Sequence, residues 1–419
     1  MAFMRRIWLL TASVLTAADW PAWRGADGSG VFNGTGVPVS WSKTSNVKWR
    51  VDLPEPGNST PIAVGNRIFL TQPKKGGYRM LICLDKATGK QLWEATTKYM
   101  SDDPTHSTNP HASASPVSDG ERVIAWFGSA GLTAWDLNGK ELWSRDLGKQ
   151  RHTWGYASSP VIHGDRVFLH FGPGDRAFLI ALDKRDGKTL WQVDVPAGEG
   201  IKFNKWDPRD MYGSWSTPLI ADGQLIVTHP KLLRAYNPAD GKALWSSEGM
   251  GDLVYPSPLA ARTAKGDPVI VAPSGFQGPS MVVKMGGSGD VTQSHRLWHT
   301  PKSKNFIGTG VSKDGYLYWV ATTGVAECVQ LATGEVLWSA RLSPDVKDGT
   351  AWSSVVMNGD NLYITNKSGQ TIVYKANPKA LEVVSINPVD EATNSSIVIA
   401  DGDVILRTHS AVWCFSAMK

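Results

Sequence analysis

Cysteine is scarce: Cys83, Cys328 and Cys414 are the whole complement in 419 residues, and no two are adjacent. None follows the apolar stretch near the N-terminus, which excludes lipid attachment there. Beyond that stretch no run is long and apolar enough to span a membrane. Basic runs are missing too. The net charge is +5, two of it from Arg5 and Arg6, and the rest is scattered, so there is no electrostatic case for nucleic acid. No low-complexity segment or break in composition marks a linker, and residues 19–419 are expected as one domain. A G-x-S-x-G nucleophile elbow does not occur, and the GGSGD at 286–290 lacks the Lys-Ser/Thr of a phosphate loop.

At the start of the chain, Arg5-Arg6, the apolar residues 7–15 and the small pair Ala17-Ala18 read as a signal peptide, residues 1–18, cleaved after Ala18. The arginine pair suits either general secretion or twin-arginine export, and the mature protein is expected in the periplasm or outside the cell.

The dominant feature is repetition. A D-K-x-x-G-K-x-L-W string recurs around Trp93, Trp143, Trp191, Trp245 and Trp338, with weaker copies at Trp298 and at LEVVSI (381–386), where the tryptophan is gone. Trp49, in VKWRVDL, has the same ending but nothing before it. From Trp49 to Trp338 these tryptophans lie 44, 50, 48, 54, 53 and 40 residues apart, a period that belongs to repeat architectures. Ahead of each stands a small-residue-Pro-apolar strand, a polar turn and another strand, as in STPIAVGNRIFLTQ and SSPVIHGDRVFLHFG. Asp-Gly and Asn-Gly pairs supply the positive φ of tight hairpins. Each unit reads as four short strands without helical periodicity. One such sheet cannot bury both faces, but eight set radially can, which predicts an all-β, eight-bladed β-propeller of four-stranded antiparallel blades. The last unit lacks its L-W strand, and the strand at Trp49 lacks partners. The N-terminal strand is therefore expected to complete the eighth blade and close the ring.

Residues shared by all blades are explained by packing. Asp85, Asp136, Asp183 and Asn237 are turn formers, and the repeated tryptophans are wedges between blades, each burying on the order of 200 Å². Cys83 and Cys328 precede their blade's tryptophan by ten residues, and Cys414 takes the matching place in the last blade. Equivalent positions on neighbouring sheets stay about 10 Å apart, beyond disulfide reach, so buried free thiols are expected. His163, His170 and His229 fall in repeat strands or turns and read as structural.

Unshared residues carry any function. The segments joining an L-W strand to the next inner strand gather on one face, around the channel mouth. They place His111, Trp154 with Tyr156, Tyr212 with Trp215, Tyr255, Phe306 and Trp352 just before the inner strands, with His106, Asn109, Arg151, His152, Arg209 and Asp210 nearby. Such a ring suits a planar or sugar-like ligand held by stacking and hydrogen bonds, or else plugs the mouth. His106 and His111 with Asp102, Asp103 and His152 match no metal-ligand spacing, and no catalytic residue is assigned.

The A-x-D-x-x-T-G-K-x-L-W consensus resembles the pyrroloquinoline-quinone-type propeller repeat of quinoprotein dehydrogenases and BamB-type outer-membrane assembly factors. DWPAWRGADGSGVF (19–32) and the following VPVSWSKTSNVKWRVDLPEPGNSTPI resemble more narrowly the exported PQQ-binding-like β-propeller repeat proteins. The resemblance covers the mature chain and specifies fold more than activity. It implies first a non-catalytic exported scaffold that binds an envelope or secreted protein or a polymer through its mouth loops; a monomer is expected, although the sequence itself does not identify the oligomeric state. It implies second a dehydrogenase using pyrroloquinoline quinone with Ca²⁺. That chemistry needs an adjacent cysteine pair, a Ca²⁺ held by acid and amide groups, an aspartate base and a tryptophan floor, and the cysteine pair is missing. No cofactor is therefore firmly implied. A carbohydrate-binding or carbohydrate-cleaving propeller is the third reading, resting on the aromatic loops.

Overall fold

Each D-x-x-x-G-K segment turns tightly because its first side chain ties down the backbone that follows. Asp85 Oδ1 accepts the Thr88 N–H at 2.8 Å, Asp136 accepts from Asn138 and Lys140, Asp183 from Arg185, and Asn237 from Ala239. Those turns reverse the chain into antiparallel strands, and the computed structural model, which describes residues 19–100, 103–195, 212–276, 278–343 and 349–417, is almost wholly β.

Eight four-stranded antiparallel blades follow one another around an axis as an eight-bladed β-propeller. Blade 1 runs from inner to outer strand as Ile62–Val64, Arg67–Lys74, Tyr78–Asp85 and Gln91–Lys98. Blades 2 to 7 take residues 117–145, 161–194, 219–248, 259–300, 311–341 and 356–388. Blade 8 has three strands from the end of the chain and a fourth, Val47–Asp52, from its beginning, with Trp49 opposite Cys414. The ring thus closes as the permuted repeats predict. Each cysteine faces its blade's tryptophan position, and all three are buried free thiols.

The tryptophans lock blade to blade. Trp49, Trp93, Trp143, Trp191, Trp298 and Trp338 each donate the indole N–H to a backbone carbonyl in the next blade's turn, at 2.9–3.0 Å. The ring lies so close to that turn that a Cβ on Gly89, Gly139, Gly187, Gly241 or Gly334 would fall 2.6–2.8 Å from indole carbons. The repeat's glycine therefore serves its own turn and the neighbouring blade's tryptophan. Of the repeated tryptophans, Trp49, Trp143 and Trp245 are buried, whereas Trp93, Trp191, Trp298 and Trp338 are half-buried, short of the burial expected for every wedge. Trp245 departs from the pattern, donating to Gln224 Oε1, because blade 5 lacks the turn and strand Gly289–Asp290 instead pairs alongside Trp245 and Ser246.

Blade 7, which lost its tryptophan, borrows one. Trp41, only 3% exposed, stacks on Tyr363 of blade 7 and Phe415 of blade 8, with centroids 6.4 and 5.1 Å away. Tyr363 pairs through Val373 with Ser385, the register at which Phe69 pairs through Cys83 with Trp93 in blade 1. Asn387 Oδ1 accepts the Trp41 backbone N–H and anchors the substitute.

A belt closes the inner edge. Two residues before each inner strand stands a Ser or Thr, and its backbone N–H donates to the corresponding hydroxyl of the next blade. The chain of bonds runs from Thr60 through Ser115, Ser159, Thr217, Ser257, Thr309, Ser354 and Ser396 back to Thr60. All eight are 2.8–3.3 Å long.

A strap closes the far end of the axis. Trp20 pairs with Ala63 near the end of blade 1's inner strand, Pro21 O accepts the Ser118 N–H in blade 2, and Val31–Phe32 pairs in parallel with Met357 and Asn358 of blade 7. Between them Arg24, buried, donates to Gly310 O at 2.7 Å, Val355 O at 3.1 Å and Thr309 O at 3.4 Å. Burial without a carboxylate in hydrogen-bond contact brings its guanidinium down to about 9, against the opposing field of Asp27.

Candidate functional site

Strand alternation decides which side chains reach the axis. The belt hydroxyls point inward, and two residues earlier in each blade the side chain points inward again. That second ring is Asn58, Ser113, Ala157, Trp215, Tyr255, Ile307, Trp352 and Asn394, and all eight line one axial cavity of about 390 Å³ at the channel mouth. Seven of the belt residues, all except Thr309, line it below. Trp23, carried by the strap next to Arg24, also lines it and is shared with the space on the far side. Trp154, Phe276, His106, Thr108 and Asn109 complete the wall from the loops.

The upper ring is two-sided. Blades 4 to 7 contribute Trp215, Tyr255, Ile307 and Trp352, whereas blades 8, 1, 2 and 3 contribute Asn394, Asn58, Ser113 and Ala157. On the aromatic side Trp215 lies 5.0 Å from Tyr255 and 6.0 Å from Trp154, centroid to centroid, and its indole donates to Gly155 O at 3.0 Å. Burial pushes the Tyr255 hydroxyl well above its ordinary range, so it is a neutral group. The Lys367 ammonium sits 4.4 Å from the centre of the Trp352 ring without lining the cavity. On the amide side Asn58 Nδ2 donates to Thr108 O, Asn394 Nδ2 to Asn58 Oδ1 and Thr108 O, and Asn109 Nδ2 to the carbonyls of Trp154 and Tyr156. Among the described residues the lining contains no Asp, Glu, Lys or Arg.

Of the residues expected at the mouth, His106, Asn109, Trp154, Trp215, Tyr255 and Trp352 meet in this cavity. Tyr156 and Phe306 stand three residues before the belt hydroxyl and turn the other way, into the blades, Tyr156 against Trp126 and Phe306 against Trp319. Tyr212 faces a smaller space beside His170 and Pro230. His152 is buried behind the aromatic wall, edge-on to Trp215, accepting the Trp154 N–H. Arg151 is exposed, 3.8 Å from Asp103. His111 is held near 4 by burial and then by the nearby Arg79, and is not part of the wall. Arg209 and Asp210 lie outside the described residues, as do residues 1–18. Asn58, Asn394 and Ile307 were legible from the same parity that fixes Trp352. Trp23 and Phe276 carry no periodic signal. Among the described residues no group of three or more His, Cys, Asp or Glu is placed to hold a metal.

The family model for the outer membrane protein assembly factor BamB matches residues 12–174 and 138–292. The chain belongs to that family. A polyvinylalcohol dehydrogenase from a Pseudomonas species is 24% identical over 406 residues, covering 86% of this chain and 57% of the relative. BamB of Yersinia pestis is 21% identical over 285 residues, 62% of this chain and 63% of the relative. The chain thus spans less than two thirds of either relative's length. Among solved structures, this BamB-family propeller is similar to a quinohemoprotein alcohol dehydrogenase from Comamonas testosteroni (TM-score 0.72, 13% identity, 97% of this chain and 81% of that one). It is also similar to BamB from Moraxella catarrhalis (TM-score 0.62, 14% identity, 88% and 97%). At these identities the likeness shows a shared fold.

Pyrroloquinoline quinone with Ca²⁺, the cofactor suggested by the dehydrogenase relatives, does not fit the described lining. Amides and a tryptophan floor are there, but no carboxylate to hold a divalent cation or serve as base, no cation to meet the quinone's carboxylates, and no cysteine pair. No helix among the described residues is long and apolar enough to cross a membrane.

Proposed function

We propose that this chain is an exported, non-catalytic binding propeller whose mouth, the end opposite the strap, captures a protein or polymer partner. The observation carrying this reading is the axial cavity: among the described residues it is lined by no Asp, Glu, Lys or Arg, is aromatic on one side, and holds no acid, base and nucleophile set in mutual reach. Shared packing uses the ring's repeated residues, which leaves this mouth as the part of the molecule with its own chemistry. In the same reading residues 1–18 are a leader removed after Ala18, and 19–419 act as one domain. Affinity capture from an envelope fraction, with Trp154→Ala/Phe276→Ala as the mouth-altered comparison, tests it. Partners retained by the wild type and lost by the variant support it, whereas identical captures by both contradict it. N-terminal sequencing of the exported protein checks the cleavage at Ala18. Incubation with pyrroloquinoline quinone and Ca²⁺ is expected to give no dye reduction with alcohols.

A further inference from the structure

We infer that the axial cavity is a saccharide site: it takes one neutral pyranose ring, the end unit of a glycan whose remaining units leave through the mouth. This rests on the non-catalytic binding reading and names its ligand.

Charge narrows the ligand first. A buried ion needs a counter-ion or a dense set of hydrogen bonds, and none of the described lining residues is Asp, Glu, Lys or Arg. Two buried guanidiniums are already directed elsewhere, Arg24 to strap and blade carbonyls and Arg407 to Ser59, Thr71 and Gln72. A neutral ligand is the one the site stabilises.

Polar valences come next. Each belt hydroxyl that lines the cavity accepts its neighbour's backbone N–H, and among the described residues none of these seven hydroxyls has an acceptor for its own proton. Seven donors therefore encircle the floor. Above them Asn394 Oδ1 is buried without a donor. A ligand that completes this wall both accepts and donates, several times over, around its rim. Hydroxyl groups do both.

The two-sided upper ring supplies the last criterion. Trp215, Tyr255, Ile307 and Trp352 form one continuous apolar wall facing the amides of Asn58 and Asn394. A pyranose has this asymmetry: its axial C–H bonds make an apolar face that stacks on aromatic rings, and its equatorial hydroxyls make a polar edge. A peptide would instead call for backbone partners in register, and the lining offers side chains at the axis. The volume, about 390 Å³, falls at the small end of the roughly 300–1,000 Å³ usual for small-molecule sites, and Trp23 of the strap lines the cavity together with the space on its far side. Phe276, 61% exposed at the rim, is placed to meet the next unit of the glycan.

Calorimetric titration of the full chain tests this, with neutral hexoses and their oligomers, glucuronate, inorganic phosphate and polyvinyl alcohol as probes at up to about 20 mM, enough to fill a site of ~1 mM dissociation constant. At least one neutral pyranose binds and its oligomer binds more tightly; glucuronate is at least tenfold weaker. Trp352→Ala weakens the monosaccharide about tenfold. Phe276→Ala, exposed and harmless to folding, weakens the oligomer and leaves the monosaccharide unchanged. Absence of binding by every neutral sugar overturns the inference, as does phosphate, glucuronate or polyvinyl alcohol binding as well as the best sugar, or a Phe276→Ala/Trp352→Ala variant that binds as the wild type does. Partner capture without sugar binding removes the ligand class and leaves the binding function. Sugar oxidation by the quinone-loaded protein removes the non-catalytic reading and leaves the ligand class.

Discussion

Blade 4 contains a matched pair of glycines that separates the two duties of the repeat. Gly223, in the turn between the blade's first two strands, has φ +72° and nothing within 4 Å of an added Cβ. Gly241, in the D-G-K turn, has φ +73°, but its added Cβ would lie 2.6 Å from Trp191 Cε3 of blade 3. The indole has little room to retreat, because its N–H is bound to Pro238 O at 3.0 Å and its ring packs 5.9 Å from Phe168. Alanine at either site incurs the left-handed penalty of about 1–2 kcal/mol, reduced by the ~0.4–1 kcal/mol gained from a stiffer unfolded chain. Only Gly241→Ala adds overpacking, about 1–3 kcal/mol. Unfolding entropy near ~2.1 cal/mol/K per residue makes each kcal/mol worth about 1.2 °C in a ring of about 400 residues. Gly223→Ala should therefore lower the thermal midpoint by about 1 °C and Gly241→Ala by about 2–5 °C. In a Trp191→Ala background, Gly241→Ala should cost no more than Gly223→Ala. Calorimetry of the four variants measures this. Equal shifts for the two glycines, or a Gly241→Ala step that survives removal of Trp191, would refute the interlock.

Trp41→Ala should destabilise by about 3–5 kcal/mol despite lying outside every blade, visible as a lower midpoint in urea, because it removes the buried indole that bridges Tyr363 of blade 7 and Phe415 of blade 8. Arg24→Met should leave the ring folded but release the strap, at a cost of about 3 kcal/mol in lost charged hydrogen bonds, read as new protease cleavage near residues 19–32. Burial holds His170 at about 4, below its ordinary 6.5, so between those pH values the unfolded chain takes up a proton that the native chain refuses. Stability should thus fall as pH drops through that window, by up to about 1.4 kcal/mol per pH unit for this histidine. His170→Asn should flatten the slope of midpoint against pH, leaving the share of His229, which burial also lowers.

The ring was legible in the sequence because its determinants are local and repeated. A turn aspartate, a glycine and a tryptophan at fixed offsets define strand ends, and the missing tryptophan strand at one end of the chain matches the orphan at the other. The strap was illegible for the opposite reason. Arg24 bonds to carbonyls 285 to 331 residues away, and nothing in its neighbours repeats. Trp41 illustrates an intermediate case: the loss of tryptophan in LEVVSI announces a hole in blade 7, but which residue fills it depends on where the N-terminal segment crosses the blade.

The site shows how far register alone carries an argument. Proximity to an inner strand selected Tyr156 and Phe306 along with Trp215 and Trp352, yet one residue of parity sends the first two into the blades and the second two to the axis. The belt supplies that parity. Because every inner strand is preceded, two residues earlier, by a Ser or Thr whose hydroxyl takes the neighbour's N–H, all eight segments are clamped in the same phase, and the residue two places before each belt hydroxyl faces inward in every blade. Packing thus fixes where the second ring points and leaves its composition free. The axial chemistry of such a propeller can change at eight positions without disturbing the ring, and the segregation here of aromatic side chains to blades 4, 5 and 7 and amides to blades 8 and 1 is a feature that blade packing does not require.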